Sequence, residues 1–408
     1  MQVTRFVRPR SLAYVASSRG VTWRLEKAAI SVSGNWKYSS YWLSDSGTFD
    51  ESASGVYVTL VIGLGRASDG RPTIRSLGCT AKIDNMKLRL SGGHSWLYNL
   101  FLSYAEKLLK PTLQTKLCAA ARHAIDKIAA RELATFPVRA ALGQGPNWMI
   151  DYRLVSSPTF SRGYVEASLR GEIFSAADKR RAALEPPSLP SPGGNIRMVQ
   201  FTVSNYVLNT AGQALHRRGV LVYRLTKDKL PDNTKGLLRT SCDILDGCIG
   251  AIVQPVGRKY PDSYVEIDVQ TSTGPKAIID RKLLTGIFVG NMKFEARLSN
   301  GSLAPLFQMS VTSNIKVAPK LAGTVLKATV ASMENKLAVQ PGSSVGPVSA
   351  ELLKLLFDVV KHTVLIPKLN EAGEKGFPLP TTKHVRYVNT GLSLYKDFAR
   401  MSADIRTK

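Results

Sequence analysis

Cysteine is scarce, with four in 408 residues, at positions 79, 118, 242 and 248. That excludes a small scaffold held together by dense disulfides. Histidine is nearly as scarce, with five. His94, His123, His216, His362 and His384 are scattered, and none forms an HExxH pair or a Cys/His set at zinc spacing. Catalytic loops are missing as well. GHSWL (93–97) lacks the glycine two residues after Ser95 that a nucleophile elbow requires. GLGRAS (63–68) ends on serine where a dinucleotide fingerprint needs glycine, and no helical pattern follows. No phosphate-cradling GxxxxGK[ST] occurs. The chain is therefore expected not to be an enzyme, and neither metal nor cofactor is expected. Acidic residues are also short: 30 Asp and Glu face 55 Lys and Arg, a net charge of +25. Such a surface suits phosphates of nucleic acid, anionic lipid headgroups or acidic glycans, or serves solubility alone.

Long unbroken apolar runs are absent too. The most apolar, Leu352 to Ile366, is interrupted by Lys354, Asp358, Lys361 and His362. It also falls short of the ~20 residues a spanning helix needs. Residues 1–20 carry four arginines and no acid, but no apolar centre of a signal peptide. What remains is ordinary for a folded chain: 44% hydrophobic and 21% charged residues, enough to build more than one core.

Residues 29–90 read as β-hairpins. AISVSG, GVYVTLVIGLG and NMKLRL alternate or form short apolar runs bounded by Gly, Ser and Asp. A helix follows. Leu97, Phe101, Tyr104, Leu108, Leu113, Leu117, Ala121, Ala124 and Ile128 recur at steps of three or four residues. The stripe predicts a helix over about 95–133, kinked at Pro111 and ~58 Å long at ~1.5 Å per residue. Strand patterns resume at WMIDYRLV and YVEASLRGEIF. RRAALEPPSLPSPGGN (180–195) then reads as an extended connector and places the domain boundary.

Beyond it come a strand (MVQFTVS), a short helix (NYVLNTAGQALHRRG) and further strands, including YVEIDVQTS and LFQMSVTSNIKV. PVSAELLKLLFDVVKHTVLIPKLNEAG then predicts a second long helix, apolar nearly all round and bent at Pro367. Each half thus pairs hairpins with a long apolar helix. The second half's helices start near Ser204 and Pro347, 143 positions apart, whereas the first half's long helix starts at His94. The first half is therefore expected to lack roughly fifty N-terminal residues. A truncated start accounts for the arginine-rich opening better than an organelle transit peptide does.

Together, ISVSGNW (30–36), SWLYNLF (95–101), RMVQFTVSNYVLNTAG (197–212), NGSLAPLF (300–307), PKLNEAGEKGFPLPT (367–381) and SADI (402–405) resemble one family. It is that of bactericidal/permeability-increasing protein and lipopolysaccharide-binding protein, with the phospholipid and cholesteryl ester transfer proteins as relatives. The resemblance covers about Ala29 to Ile405. It implies an α+β fold: a two-domain boomerang of tubular barrels, each a long helix wrapped by a twisted antiparallel sheet, with a central sheet between them. The chain then divides into an uncertain segment 1–28, a truncated N-terminal lipid-binding barrel 29–179, the Pro-rich linker 180–195 and a C-terminal lipid-binding barrel 196–408.

The resemblance further implies an acyl-chain pocket in each tube. On the helices, the expected pocket residues are Leu97, Phe101, Tyr104 and Leu108 in the first domain, and Leu352, Leu356, Val359 and Val360 in the second. It implies a disulfide between Cys79 and Cys118. Cys242 and Cys248 have no counterpart and are read as two buried thiols, with a local disulfide as the alternative. Asn300, in the sequon Asn300-Gly301-Ser302, is expected in an exposed, glycosylatable turn.

One departure matters. Endotoxin-binding members carry a lysine-rich hairpin tip just after ISG. Here NWKYSSYWLSDSG keeps only Lys37 among those positions, and Trp36, Tyr38, Tyr41 and Trp42 make the tip aromatic. Trp36, Lys37, Tyr41 and Trp42 are therefore the expected membrane or headgroup contacts. The function implied is non-enzymatic binding of lipopolysaccharide or phospholipid, at a membrane or lipid-particle surface, by a secreted protein of innate defence or lipid transfer. The charge alone suggests one rival, a basic nucleic-acid-binding protein, but no recognised module supports it.

Overall fold

Long antiparallel hairpins and two long helices dominate the computed structural model. It describes all residues except 1, 18–19, 42–43, 143–147, 162, 179, 192–196, 244–246, 379–384 and 408. The chain forms two compact units. Unit 1 comprises residues 1–139 and 152–170; unit 2 comprises 140–151 and 171–408.

Unit 1 is built on β1 (Gln2–Val7), β2 (Arg10–Ser17), β3 (Gly20–Ser39), β4 (Ser44–Arg66) and β5 (Pro72–Ser91). β3, β4 and β5 are neighbours in sequence and in the sheet, while β1 and β2 both pair antiparallel with β3. The segment set apart in the sequence at 1–28 thus supplies β1, β2 and the start of β3. β3 and β4 are irregular at one level. Lys27 and Gly55 both have positive φ, where the β3–β4 register slips. Such a bulge adds a residue to a strand and increases its curl.

The helical stripe forms as α1 (Ser95–Asn99), α2 (Leu102–His123), a π-helical stretch (Ala124–Ala129) and α3 (Ala130–Thr135). The single helix expected over 95–133 is therefore interrupted at Leu100–Phe101, and α2 passes through Pro111. Leu113 and Leu117 pack on Ala53, Val56, Ile83 and Met86 of the sheet. Ala121 and Ile125 pack on Leu60 and Ile62.

The helix also seals a sheet edge. β4 pairs with one side of β5; the helix supplies polar side chains to the other. The Asn99 amide accepts from the Leu90 N–H and donates to the Leu90 carbonyl, at 3.1 and 2.9 Å. Glu106 accepts from the Leu88 N–H at 2.9 Å, Lys110 donates to the Asp84 carbonyl at 2.9 Å, and Asp126 accepts from the Ser76 N–H at 2.6 Å. An unpaired edge invites pairing with another chain, so side chains that satisfy it both fix the helix and protect the sheet.

Short strands follow: β6 (Arg139–Ala141), β7 (Trp148–Asp151), β8 (Thr159–Ser161), β9 (Tyr164–Glu166) and β10 (Glu172–Ser175). The chain passes between the units here, at 139/140, 151/152 and 170/171, upstream of the connector read at 180–195. Pairing explains this. β7 and β10 are antiparallel partners, and Arg181 bonds both of their buried carboxylates, Asp151 and Glu172, at 3.0 Å each. The start of the proline-rich segment is thereby tied into unit 2.

Unit 2 continues with β11 (Val199–Ser204), α4 (Asn205–Arg217), β12 (Val222–Leu225), α5 (Ile249–Ile252), α6 (Gln254–Lys259), β13 (Tyr264–Thr271), β14 (Lys276–Ile279), β15 (Leu284–Arg297), β16 (Leu303–Ala322) and β17 (Val325–Val339). It ends with α7 (Ala350–Val360), a π-helical stretch (Lys361–Leu365), α8 (Ile366–Lys375), β18 (Phe377–Pro378), β19 (Val385–Tyr395) and β20 (Phe398–Thr407). The main sheet runs β12-β13-β15-β16-β17-β18, and β11, β20 and β19 form a second sheet.

The second long helix starts at Ser349, whose hydroxyl accepts from the Leu352 N–H. It stops at Gly376, at positive φ. It repeats the device of unit 1: Asn370 accepts from the Val330 N–H of the edge strand at 2.8 Å, and Glu374 pairs with Lys327 at 2.7 Å. A long helix set against a curled antiparallel sheet, formed twice, is the α+β architecture expected from the sequence.

Both cysteine pairs are disulfides. Cys79–Cys118 clamps β5 to α2. Cys242–Cys248 corrects the thiol reading: the chain folds back so that the two Cα atoms lie 6.3 Å apart, within the span a disulfide bridges.

Candidate functional site

The inner face of the unit 2 sheet is apolar by simple alternation. Met309, Val311, Ser313 and Ile315 of β16 point to one side, beside Phe288, Met292 and Phe294 of β15. Leu353 and Leu356 of the helix pack on this face in one buried cluster with Met292, Phe294 and Met309. Helix and sheet together line a cavity of about 650 Å³, within the ~300–1,000 Å³ typical of small-molecule sites.

The cavity runs from Leu353 and Leu356 along the helix to Lys368 and Leu369. On one side the segment between β12 and β13 closes it: Leu237 and Leu238 line the wall, and Leu230 and Leu238 pack on Val364. On the other side lies β12, at the end of the sheet order, whose Val222 and Tyr223 both line the cavity and are exposed. Among the described residues, Lys368 is the one charged side chain on the wall. It is exposed and three positions from Glu371, which is already ion-paired to Lys375 at 2.8 Å. The site therefore offers an oily channel with one exposed ammonium on its wall. One wall hydroxyl, that of Thr271, lies 2.8 Å from the His216 ring nitrogen.

Of the second-domain helix residues expected to line a pocket, Leu356 and Val360 do. Leu352 and Val359 do not; they are exposed. At about 100° per residue they lie on the flank of the helix, roughly a quarter turn from the wall formed by Leu353, Leu356, Val360 and Val364. The sequence missed Leu353, Phe357, Val364 and Lys368 because a helix apolar nearly all round does not say which face turns inward.

In unit 1, Leu97, Phe101, Tyr104 and Leu108 are all exposed, by 41 to 66%. The sheet edge holds Asn99, Glu106 and Lys110, and the stripe lies about half a turn around the helix from Glu106. These four side chains therefore do not face the sheet. A further apolar shelf is open on the sheet itself. Phe6, Ile30, Ala53 and Met86 form one cross-strand row. The helix covers Ala53 and Met86 but leaves Phe6 60% and Ile30 37% exposed.

The hairpin tip divides. Trp36 is half-buried, edge-on to Tyr98 of α1 with ring centroids 5.5 Å apart; it anchors the helix. Lys37, Tyr38 and Tyr41 are exposed. Trp42 lies outside the described residues. Burial holds the Tyr98 phenol above its ordinary pKa, with Asp45 adding to the shift. Asn300 sits in the exposed β15–β16 turn, where its Oδ1 accepts from the Ser302 N–H and hydroxyl at 2.9 and 2.7 Å.

A helix-on-sheet unit formed twice, one enclosing an apolar channel, defines a class of proteins with internal cavities for apolar ligands. The comparisons make this specific. Residues 146–407 match the C-terminal domain of the LBP / BPI / CETP family, and residues 1–128 match its N-terminal domain. The chain belongs to that family. It is 29% identical over 409 residues to the bactericidal permeability-increasing protein of Sebastes schlegelii, covering 100% of this chain and 84% of that one. It is 28% identical over 397 residues to the lipopolysaccharide-binding protein of Homo sapiens, covering 95% and 79%. A crystal structure of lipopolysaccharide binding protein shares the fold at a TM-score of 0.57 and 23% identity, over 100% of this chain and 87% of that one.

Proposed function

We propose that this protein is a non-enzymatic lipid binder of the lipopolysaccharide-binding and bactericidal/permeability-increasing type. The unit 2 cavity takes an acyl chain of a phospholipid or lipopolysaccharide, and Lys368 meets a phosphate at the mouth. One observation carries this: an apolar channel of about 650 Å³ on whose wall, among the described residues, the one charged side chain is the exposed Lys368. Burial of each methylene contributes about 0.8 kcal/mol, so a chain of ordinary length would be held strongly by the wall alone. The names of the relatives, which bind lipopolysaccharide or increase bacterial permeability, favour a role in innate defence or lipid transfer. Two disulfides suit an oxidising, extracellular setting. Among the described residues no helix is long and apolar enough to cross a membrane. No observation favours the nucleic-acid reading that charge alone suggested.

The test is mass spectrometry of lipid extracted from the purified protein, beside an Ile315→Trp variant that fills the channel. The expected result is about one lipid per chain in the parent and a large loss in the variant, with folding intact. Equal lipid in both, or none in the parent after incubation with phospholipid vesicles, would sink the reading.

A further inference from the structure

A second apolar surface lies apart from the cavity. It is the outer stripe of α1–α2 in unit 1. Trp96, Leu97, Leu100, Phe101, Tyr104 and Leu108 are exposed by 41 to 68%. Scattered apolar side chains on a surface need no explanation, but a contiguous run of six large ones does.

Charge says what covers it. Between 95 and 118 the only acidic residue is Glu106, and its carboxylate is turned inward to the Leu88 N–H. Lys107 and Lys116 are exposed and flank the stripe, each roughly a quarter turn from its centre. At the N-terminal end the stripe runs into the hairpin tip. Asp45 accepts from the His94 N–H at 2.8 Å, and Trp36 stacks edge-on with Tyr98. There Lys37 is exposed, Tyr38 is 51% exposed and Tyr41 fully so.

We propose that this surface is a bilayer-docking face: α1 and the first half of α2 lie in the interface of an anionic membrane, with the tyrosines of the tip and Trp96 at headgroup level. The pattern is that of an interfacial helix, apolar on one side and lysine-flanked on the other, with amphipathic aromatics at its rim. A second copy of the chain fits less well. A two-fold contact through the stripe sets two lysine-flanked faces against each other, while the one acid of 95–118, Glu106, is turned inward to Leu88. This face lies in unit 1 and does not depend on the unit 2 cavity.

The experiment uses the full chain and a Leu100→Glu/Phe101→Glu double variant, with a Trp96→Phe variant to assign fluorescence. Phosphatidylcholine vesicles with a minority of phosphatidylglycerol are the probe. Burying a leucine and a phenylalanine is expected to shift partitioning at least tenfold. The double variant should therefore lose about that factor or more in vesicle binding. Its melting temperature and its uptake of an apolar dye by unit 2 should be unchanged. Trp96 emission should shift to the blue on vesicle binding. Unchanged vesicle binding by the double variant would overturn the proposal. So would light scattering showing a parent dimer that the variant makes monomeric. Loss of dye uptake in the Ile315→Trp variant with vesicle binding intact would separate this face from the cavity.

Discussion

Asp45 and His94 join the hairpin tip to the helix. The Asp45 carboxylate accepts from the His94 N–H at 2.8 Å and lies 3.2 Å from the His94 ring. It also accepts from the Ser46 N–H at 2.9 Å. The His94 amide hydrogen bond is the main reason the Asp45 pKa falls below its ordinary 3.8. A depressed carboxylate pKa contributes stability that is fully present above 3.8 and is lost as pH falls through the folded-state value. The environment of Tyr98 and Trp36 should therefore hold constant from neutral pH down to the ordinary carboxylate range and change below it. Asp45→Asn should weaken that packing at neutral pH and abolish the acid transition. Near-ultraviolet circular dichroism across an acid titration reads both. A transition unaltered by Asp45→Asn would assign it to another carboxylate.

The two disulfides should differ in worth. Cys79 and Cys118 are 39 residues apart, and Cys242 and Cys248 only 6. In the chain-entropy account, stabilisation grows with the logarithm of loop length. Replacing the first pair by serines should cost unit 1 about 4 kcal/mol, and replacing the second should cost unit 2 about 2 kcal/mol. Urea unfolding of each double variant measures this. Equal costs would mean that native packing around Cys248, which is fully buried, outweighs the loop term.

How much of this was legible beforehand depended on the kind of signal. Helix positions were readable because their apolar residues repeat, and the hairpins because theirs alternate. The inward face was not. Leu352 and Leu353 look alike in sequence, yet one is exposed and the other makes core, in the same helix setting that brings Asn370 to the Val330 N–H. The same holds in unit 1, where Asn99, Glu106 and Asp126 turn the helix and leave Phe101 and Tyr104 outside. Polar residues on an apolar helix decided its rotation, and a search for apolar periodicity passes over them. The break at Leu100–Phe101 and the two π-helical stretches carry no proline or glycine. The second bridge was hidden for another reason: two cysteines six positions apart fit a bridge or a pair of thiols equally well until the fold of 239–250 is known.

Asn300 should be modified when the protein passes through a glycosylating compartment. Its side chain lies in an exposed turn, with Gly301 at positive φ holding the reversal. The Asn300–Ser302 hydrogen bonds are local to that turn and easily exchanged for water. Peptide mass spectrometry after expression in a eukaryotic secretory host should find glycan at Asn300, and Asn300→Gln should remove it without changing the melting temperature. An unmodified Asn300 in secreted protein would refute the expectation.

Lys368 should set headgroup preference without setting affinity for tails. The wall of the channel supplies the burial, which is large and indifferent to charge. An exposed ammonium paired with a phosphate contributes about 1 kcal/mol at most and is screened by salt. Glu371 competes for it only partly, being already paired with Lys375. In competition between phosphatidylglycerol and phosphatidylcholine, Lys368→Gln should lower the bound ratio of anionic to zwitterionic lipid about three- to fivefold. Lys368→Glu should lower it further, because attraction becomes repulsion. Total lipid bound should stay near one per chain in both variants, since no wall surface is lost. Raising the salt concentration should shrink the parent's preference toward that of Lys368→Gln. Mass spectrometry of the extracted lipid gives ratio and total together. If the ratio is unchanged in both variants, the headgroup lies at another opening. If the total collapses with the ratio, Lys368 is part of the channel's packing and its charge is incidental.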